Sequence, residues 1–228
     1  MTRRVGMNYR ARAARPVAIF AAAALGALAA GCGSVIPGAD VAPPKLYSLT
    51  PKNTFSADLP KVTWQLVVEQ PDAAASLNTT RIALRQTPIT LDYYARAVWT
   101  DTAPRLFQTK IIESFENSKK IISVGRDAVG LRSDYVLKCE LRHFEALYFQ
   151  GGMPIVYVEL NAKLVKMPER VIIANQTWSR KITSTSPSLD DVVLAFDDAS
   201  GKILKRLVEW ALVAPSRPGL AMPEDTGD

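Results

Sequence analysis

Tyr135-Val136-Leu137-Lys138-Cys139-Glu140-Leu141-Arg142-His143-Phe144-Glu145 alternates apolar and polar side chains for most of its length, and a period of two marks an extended strand with one buried face. Tyr135, Leu137, Cys139 and Leu141 share that face. The alternation returns in Val156, Val158, Leu160, Ala162 and Leu164, and a third extended run from Val171 through Ile182 contains Trp178. Gly151-Gly152-Met153-Pro154 and Pro168-Glu169-Arg170 supply turn residues between the runs. Long strands joined by short turns predict an antiparallel meander.

Toward the N-terminus the period changes. Ile121 to Val124 is again extended, but before it Phe107, Ile111 and Phe115 recur every four residues, with Leu106 and Ile112 widening the stripe. That spacing predicts a helix with one apolar face, ending near Ser118. Asp101 and Thr102 offer capping acceptors at its start, Pro104 falls in the first turn, and Lys119 and Lys120 stand at its negative end. Earlier still, Arg81 to Arg85 and Pro88 to Tyr94 read as a hairpin turning near Gln86 and Thr87. Lys45 to Leu49 and Val62 to Glu69 read as two further strands.

On the C-terminal side, Ser188 opens a second helix with Asp190 and Asp191 in its first turn, the charge sign a helix N-terminus favours. Val192, Phe196, Ala199, Ile203, Leu207 and Trp210 follow at spacings of three and four, while Asp198, Lys202, Lys205 and Arg206 take the outer face. The predicted fold class is therefore α+β, with one mostly antiparallel or mixed sheet and two amphipathic helices packed on one face. It occupies a single domain at 45–214, and residues 215–228, with Pro215, Pro218 and Glu224-Asp225, read as a disordered tail.

The first residues belong to a different class of sequence. Arg3, Arg4, Arg10, Arg12 and Arg15 precede an apolar run from Val17 to Ala30, the layout of a signal peptide. About 14 apolar residues fall short of the roughly 20 that span a bilayer as a helix, which disfavours a permanent anchor. The Arg3-Arg4 pair suggests twin-arginine export, but Gly6 and Met7 follow where bulky apolar residues belong.

Leu28-Ala29-Ala30-Gly31-Cys32-Gly33-Ser34 resembles the lipobox of lipoprotein signal peptidase, with Ala29 at the position usually held by Leu. Residues 1–31 are thus expected to be removed, Cys32 to carry palmitate or a related acyl group, and 32–44, with Pro37, Gly38, Pro43 and Pro44, to act as a flexible tether. The alternative is an ordinary signal peptidase acting at Ala27-Leu28-Ala29, leaving Cys32 as an early cysteine of a released protein. Gly33 after the lipidated cysteine, rather than Asp, points to the periplasmic face of the outer membrane, with the inner membrane's periplasmic face as the alternative.

Processing also changes the meaning of the charge. The chain carries +6, and loss of the five leading arginines leaves +1, so net charge gives no basis for a nucleic-acid partner. With Cys32 acylated, Cys139 has no intramolecular disulfide partner.

The chemistry-bearing residues are few. His143 is the single histidine, in a strand near Glu140 and Glu145, and it reads as a surface or edge residue rather than a general base. Without a second histidine, a metal site of ordinary spacing is not expected. Cys139 alternates with Leu137 and Leu141 and reads as a small buried apolar side chain. Asp190-Asp191 and Asp197-Asp198 lack a glycine-centred calcium loop and fit the helix dipole better. No catalytic residue, cofactor site or phosphate-binding glycine loop is expected. Tyr148, Phe149, Met153 and Ile155 around the first meander turn form an apolar cluster, read either as hairpin packing or as a contact surface for a partner or a lipid.

Several ordered motifs remain. Lys45-Leu46-Tyr47-Ser48-Leu49 follows the lipobox, Leu91-Asp92-Tyr93-Tyr94 runs into Ala97-Val98-Trp99 before the first helix, and Ser133-Asp134-Tyr135-Val136-Leu137 opens the meander. In this order the chain resembles the ABC-type transport auxiliary lipoprotein family, which includes the paraquat-inducible protein C of Mce-type lipid transport. Tyr93, Tyr94 and Trp99 are expected to be structural members of the motif, packing the first helix onto the sheet. The resemblance implies a non-enzymatic subunit that docks an ABC/Mce-type transporter to the outer membrane while lipid or another hydrophobic substrate moves. Its partners would be the Mce-domain substrate-binding and permease components. The alternative is a lipid or small-molecule carrier lipoprotein that binds cargo itself.

Overall fold

The computed structural model describes residues 43–127, 132–149 and 152–216. The expected signal peptide, Cys32, residues 32–42 of the tether, Gly151 of the first meander turn and residues 217–228 of the tail lie outside the described residues.

The stretch from Tyr135 forms the spine of a mixed sheet of nine strands. In chain order these are β1 (Lys45–Tyr47), β2 (Val62–Val68), β3 (Asp72–Ala73), β4 (Arg81–Thr87), β5 (Thr90–Trp99), β6 (Ile121–Arg126), β7 (Tyr135–Leu147), β8 (Ile155–Lys166) and β9 (Val171–Thr183). Helix α1 (Ala103–Ser118) precedes β6, and α2 (Leu189–Val213) follows β9, ending in a short 3-10 turn at Ala214–Ser216.

The predicted meander is β7, β8 and β9, paired antiparallel along nearly their full lengths. The other edge of β7 is shared by three short parallel strands placed end to end: β2 at Tyr135 to Leu137, β3 at Glu140 and Leu141, and β4 at Glu145 to Leu147. Beyond them β6 joins β2 in parallel, while β5 pairs antiparallel with β4 and carries β1 in parallel. The predicted hairpin is present, but β4 runs to Thr87 and the turn falls on Pro88 and Ile89, since proline cannot donate to a ladder.

An irregularity between Leu141 and His143 leaves Arg142 without a partner on β8. Before this bulge Leu137, Cys139 and Leu141 face inward; after it Phe144 and Ala146 do. One extra residue inverts the faces of everything that follows, and so His143 and Glu145 lie on the opposite side from Cys139.

Both helices lie against the sheet: α1 meets β6 and β2, α2 meets β8 and β9, and the two touch each other. Their predicted stripes are buried, with Phe107, Ile111 and Phe115 of α1 and Val192, Phe196, Ala199, Ile203 and Leu207 of α2 fully inaccessible. Ser188 caps α2 by accepting a hydrogen bond from Asp191 N. Two expectations for α1 fail. Thr102 occupies the cap position without making the capping hydrogen bond, and Asp101 Oδ1 instead accepts from Thr102 N at 2.7 Å. Lys120 does not serve the helix end; its Nζ donates to the carbonyls of Leu59 and Ala57 at 2.8 and 3.3 Å.

These last contacts belong to a strap. The irregular segment between β1 and β2 crosses both helices, tied to α2 where Thr50 N and Oγ1 donate to Asp197 at 2.6 and 2.7 Å and where Ser56 N donates to Glu209. It meets α1 where Lys52 N donates to Ser114 Oγ and Asn117 Nδ2 donates to Lys52 O. Lys45 and Tyr47 both donate to Asp190 Oδ1, at 2.5 and 2.6 Å. The Lys45 hydrogen bond, then that of Tyr47, lowers the Asp190 carboxyl below its ordinary range. A depressed carboxylate stabilises above its unfolded-state value and loses that contribution as pH falls through its folded value. The Lys45 ammonium, raised by the same hydrogen bond, loses its share as pH rises through its own folded value, so the tie weakens in acid and in strong base. Asp190 and Asp197 thus do more than complement a helix dipole, since Asp197 holds the strap and Asp190 holds β1, from which the strap leads.

Candidate interaction surface

The three aromatic motif residues take separate tasks. Trp99 is 1% exposed and lies 5.1 Å from the Phe144 ring and 5.4 Å from Phe196, while Phe107 packs edge-on against Phe144. The sheet and both helices therefore meet in one aromatic cluster. Tyr93 turns away from it: its hydroxyl donates to Ser76 O at 3.0 Å and the Arg81 guanidinium lies 3.6 Å from its ring centre. Tyr94 pairs hydroxyl to hydroxyl with Tyr148 at 2.6 Å. Adjacent strand residues point to opposite faces, which is why neighbouring tyrosines do not share a role.

Cys139 is buried, and burial pushes its thiol up to about 12, so it is an inert core residue. His143 lies across the sheet from it and does have a partner. Its Nδ1 is 2.8 Å from Oε1 of Glu145, a carboxylate only 1% exposed. The same oxygen accepts from Arg85 Nε at 3.2 Å, and Oε2 accepts from Phe144 N at 2.7 Å. The His143 ring stacks on Tyr157 at 4.4 Å. Burial, followed by donation to Glu159, pushes the Tyr157 hydroxyl up to about 12. A buried charge is tolerated when paired and hydrogen-bonded, and Glu145 has two fixed donors, Arg85 Nε and Phe144 N, with the His143 ring beside them. Among the described residues no group of three or more His, Cys, Asp or Glu is placed to hold a metal.

Glu145→Gln keeps the shape and removes the charge. It is expected to lower the unfolding free energy by about 1.5–3 kcal/mol, the range for hydrogen bonds to a charged group. Urea denaturation reads this directly, and an unchanged midpoint would show that Arg85 and His143 recover their interactions in water.

The helix-free side of the sheet also carries a depression of about 510 Å³. Val67, Val136, Val165 and Met167 form its apolar floor, a cluster separate from the main core. Its rim holds Ile172, Arg170 and the Glu69–Lys138 ion pair at 2.6 Å. The volume is in the range of small-ligand sites, and the mixture of apolar floor and polar rim also suits a protein contact. Sequence periodicity identified these valines only as strand residues. Their convergence depends on β2 pairing with β7 from some seventy positions away.

These features define an α+β domain whose distinctive chemistry lies on the face its helices leave uncovered. The chain belongs to the ABC-type transport auxiliary lipoprotein component family, whose model matches residues 47–208. A crystal structure of protein XCC0632 from Xanthomonas campestris is 33% identical, covers 76% of this chain and 97% of its own, and superposes with a TM-score of 0.72. A second crystal structure, of an uncharacterised protein, is 12% identical over 73% of this chain and 97% of its own with a TM-score of 0.59, a likeness of fold alone. The uncharacterised protein bll6063 of Bradyrhizobium diazoefficiens is 29% identical over 196 residues, 83% of this chain. The alignment covers 51% of that relative, so this chain spans about half its length. Membership in a transport auxiliary lipoprotein family implies a place in the cell envelope.

Proposed function

We propose that this protein is a non-enzymatic, periplasm-facing lipoprotein subunit of an ABC/Mce-type envelope transporter. Acylated at Cys32, it docks the transport machinery to the outer membrane while lipid or another hydrophobic compound moves. The observation that carries this reading is family membership across β2 to β9, α1 and most of α2. The packed interior supports it too, because Trp99, Phe107, Phe144 and Phe196 fill the space between helices and sheet where a carrier of this design would hold cargo. The helix-free face, with its valine floor and charged rim, is the surface offered to a Mce-domain or permease partner.

The full-length lipoprotein, purified gently from crosslinked envelopes, is expected to bring down Mce-domain and permease subunits. Recovery without any transporter subunit would sink the docking role. The 510 Å³ depression keeps the carrier reading in view. Native mass spectrometry of the same preparation decides between them, with bound lipid and no protein partner favouring cargo binding.

A further inference from the structure

The expected contact cluster around the first meander turn acquires neighbours in the fold. Tyr148 N donates to Arg85 O at 2.7 Å, which sets the β4–β5 turn beside the β7–β8 connection. Ser184 N donates to Pro154 O at 2.8 Å, which brings the segment after β9 to the same end. Four apolar side chains project there: Ile89 is 92% exposed, Met153 51%, Phe149 42% and Ile155 37%. Residues 86–91, 148–149, 152–156 and 183–189 hold no charged side chain and are otherwise proline, glycine, glutamine, tyrosine, leucine, valine, serine and threonine. Soluble surfaces intersperse charge among their apolar residues. Here Arg85, which donates to Pro88 O, and Asp191, which accepts from Ser186, reach only the base. The protruding apolar groups ringed by tyrosine and hydroxyls match the composition of a bilayer interface instead.

The chain's own direction selects the occupant. β1 runs parallel to β5 with Lys45 opposite Ala97, and β5 starts at the tip and runs away from it. The polypeptide therefore enters β1 from the tip side. β5 bulges between Tyr93 and Val98, so β4 gives the distance to the tip: Val98, next to Lys45's partner Ala97, pairs with Arg81, six strand residues or roughly 20 Å from Thr87 at the tip. Ten residues lie between Cys32 and Pro43, and the eleven steps they make reach at most about 40 Å. A tether of that reach, leaving the domain toward the tip, lets an acylated Cys32 bring this end of the sheet to the bilayer.

We propose that Ile89, Phe149, Met153 and Ile155 form a membrane-contacting tip that enters the interface of the same leaflet as the Cys32 acyl chains. This rests on acylation of Cys32. Four side chains are too few to hold the protein alone, so the lipid supplies retention and the tip supplies orientation. A 13-residue β7 spans about 40 Å, and Val136, Val165 and Arg170 lie at its far end. Standing on its tip, the domain lifts the valine-floored depression away from the bilayer into the periplasm.

The test uses the full-length lipoprotein in vesicles of phosphatidylethanolamine and phosphatidylglycerol with brominated acyl chains. Single variants Ile89→Cys and Met153→Cys, and the controls Ile122→Cys and Val171→Cys at exposed positions of the opposite end, carry a nitrobenzoxadiazole label. Acylation blocks Cys32 and burial shields Cys139. Blue-shifted, strongly quenched emission at 89 and 153, with neither change at 122 and 171, is the expected result. Vesicles that float with the protein but leave the tip labels unquenched overturn the tip and leave the anchor standing. Equal quenching at all four positions, or a tip response that appears only on adding a transporter subunit, overturns it as well. Failure to float at all removes acylation of Cys32 and the tip with it.

Discussion

Trp99→Ala is expected to lower the unfolding free energy by about 3–5 kcal/mol, the range for deleting a large aromatic side chain from a packed core. The effect falls at the top of the usual mutational range because of what the indole joins. Its ring touches Phe144 from β7 and Phe196 from α2, and Phe144 in turn holds Phe107 of α1. A void there is shared by three elements, none of which closes it without losing another contact. Domains of this size are stable by about 5–15 kcal/mol in all, so the variant forfeits a large share. Its melting temperature is expected to fall by roughly 10 °C, at about 2–4 °C per kcal/mol. Trp99→Phe keeps most of the ring contacts and should lose much less. A loss below about 1 kcal/mol for the alanine variant would contradict the packing described and place the burden of this junction on Phe144 alone.

Cys32→Ala is expected to abolish both palmitate labelling and membrane association while leaving the domain folded. A single acyl chain binds a bilayer only marginally, and stable retention takes more than one chain or a second membrane signal. Carried on an ordinary cleavable signal peptide in place of residues 1–31, the variant keeps only the four tip side chains, which should not hold it in the membrane fraction. Metabolic labelling and flotation read the two losses, and circular dichroism reads the fold. Labelling that persists in the variant would reassign the lipid to another residue. Membrane association without labelling would mean that a different segment anchors the chain.

The helices were legible because their signals are local. Phe107, Ile111 and Phe115 are one turn apart, and Ser188 with Asp191 forms its cap within four residues. β7, β8 and β9 were legible for the same reason, being long alternating runs joined in order. What escaped was set by distant partners. Lys120 reads as a helix-end charge until the Leu59 and Ala57 carbonyls come within reach. Asp197 reads as helix surface until Thr50 donates to it twice. Tyr93, Tyr94 and Trp99 appear in sequence as one motif, yet they face Ser76, Tyr148 and Phe196. His143 reads as a lone edge residue because the alternation of β7 carries no mark of the bulge at Arg142, which turns it and Glu145 away from the core.

Sequence alone determined the α+β class, both helix faces, the antiparallel meander and the resemblance that proved to be the family, since each depends on periodicity or on residues close along the chain. Tertiary structure alone decided that β2, β3 and β4 line up in parallel along β7, that three valines from separate strands make one floor, and that Ile89 joins Phe149 and Met153 at one tip. Those outcomes are choices among long-range pairings whose partners lie tens of residues apart, and a local pattern of apolar and polar residues is equally compatible with several of them.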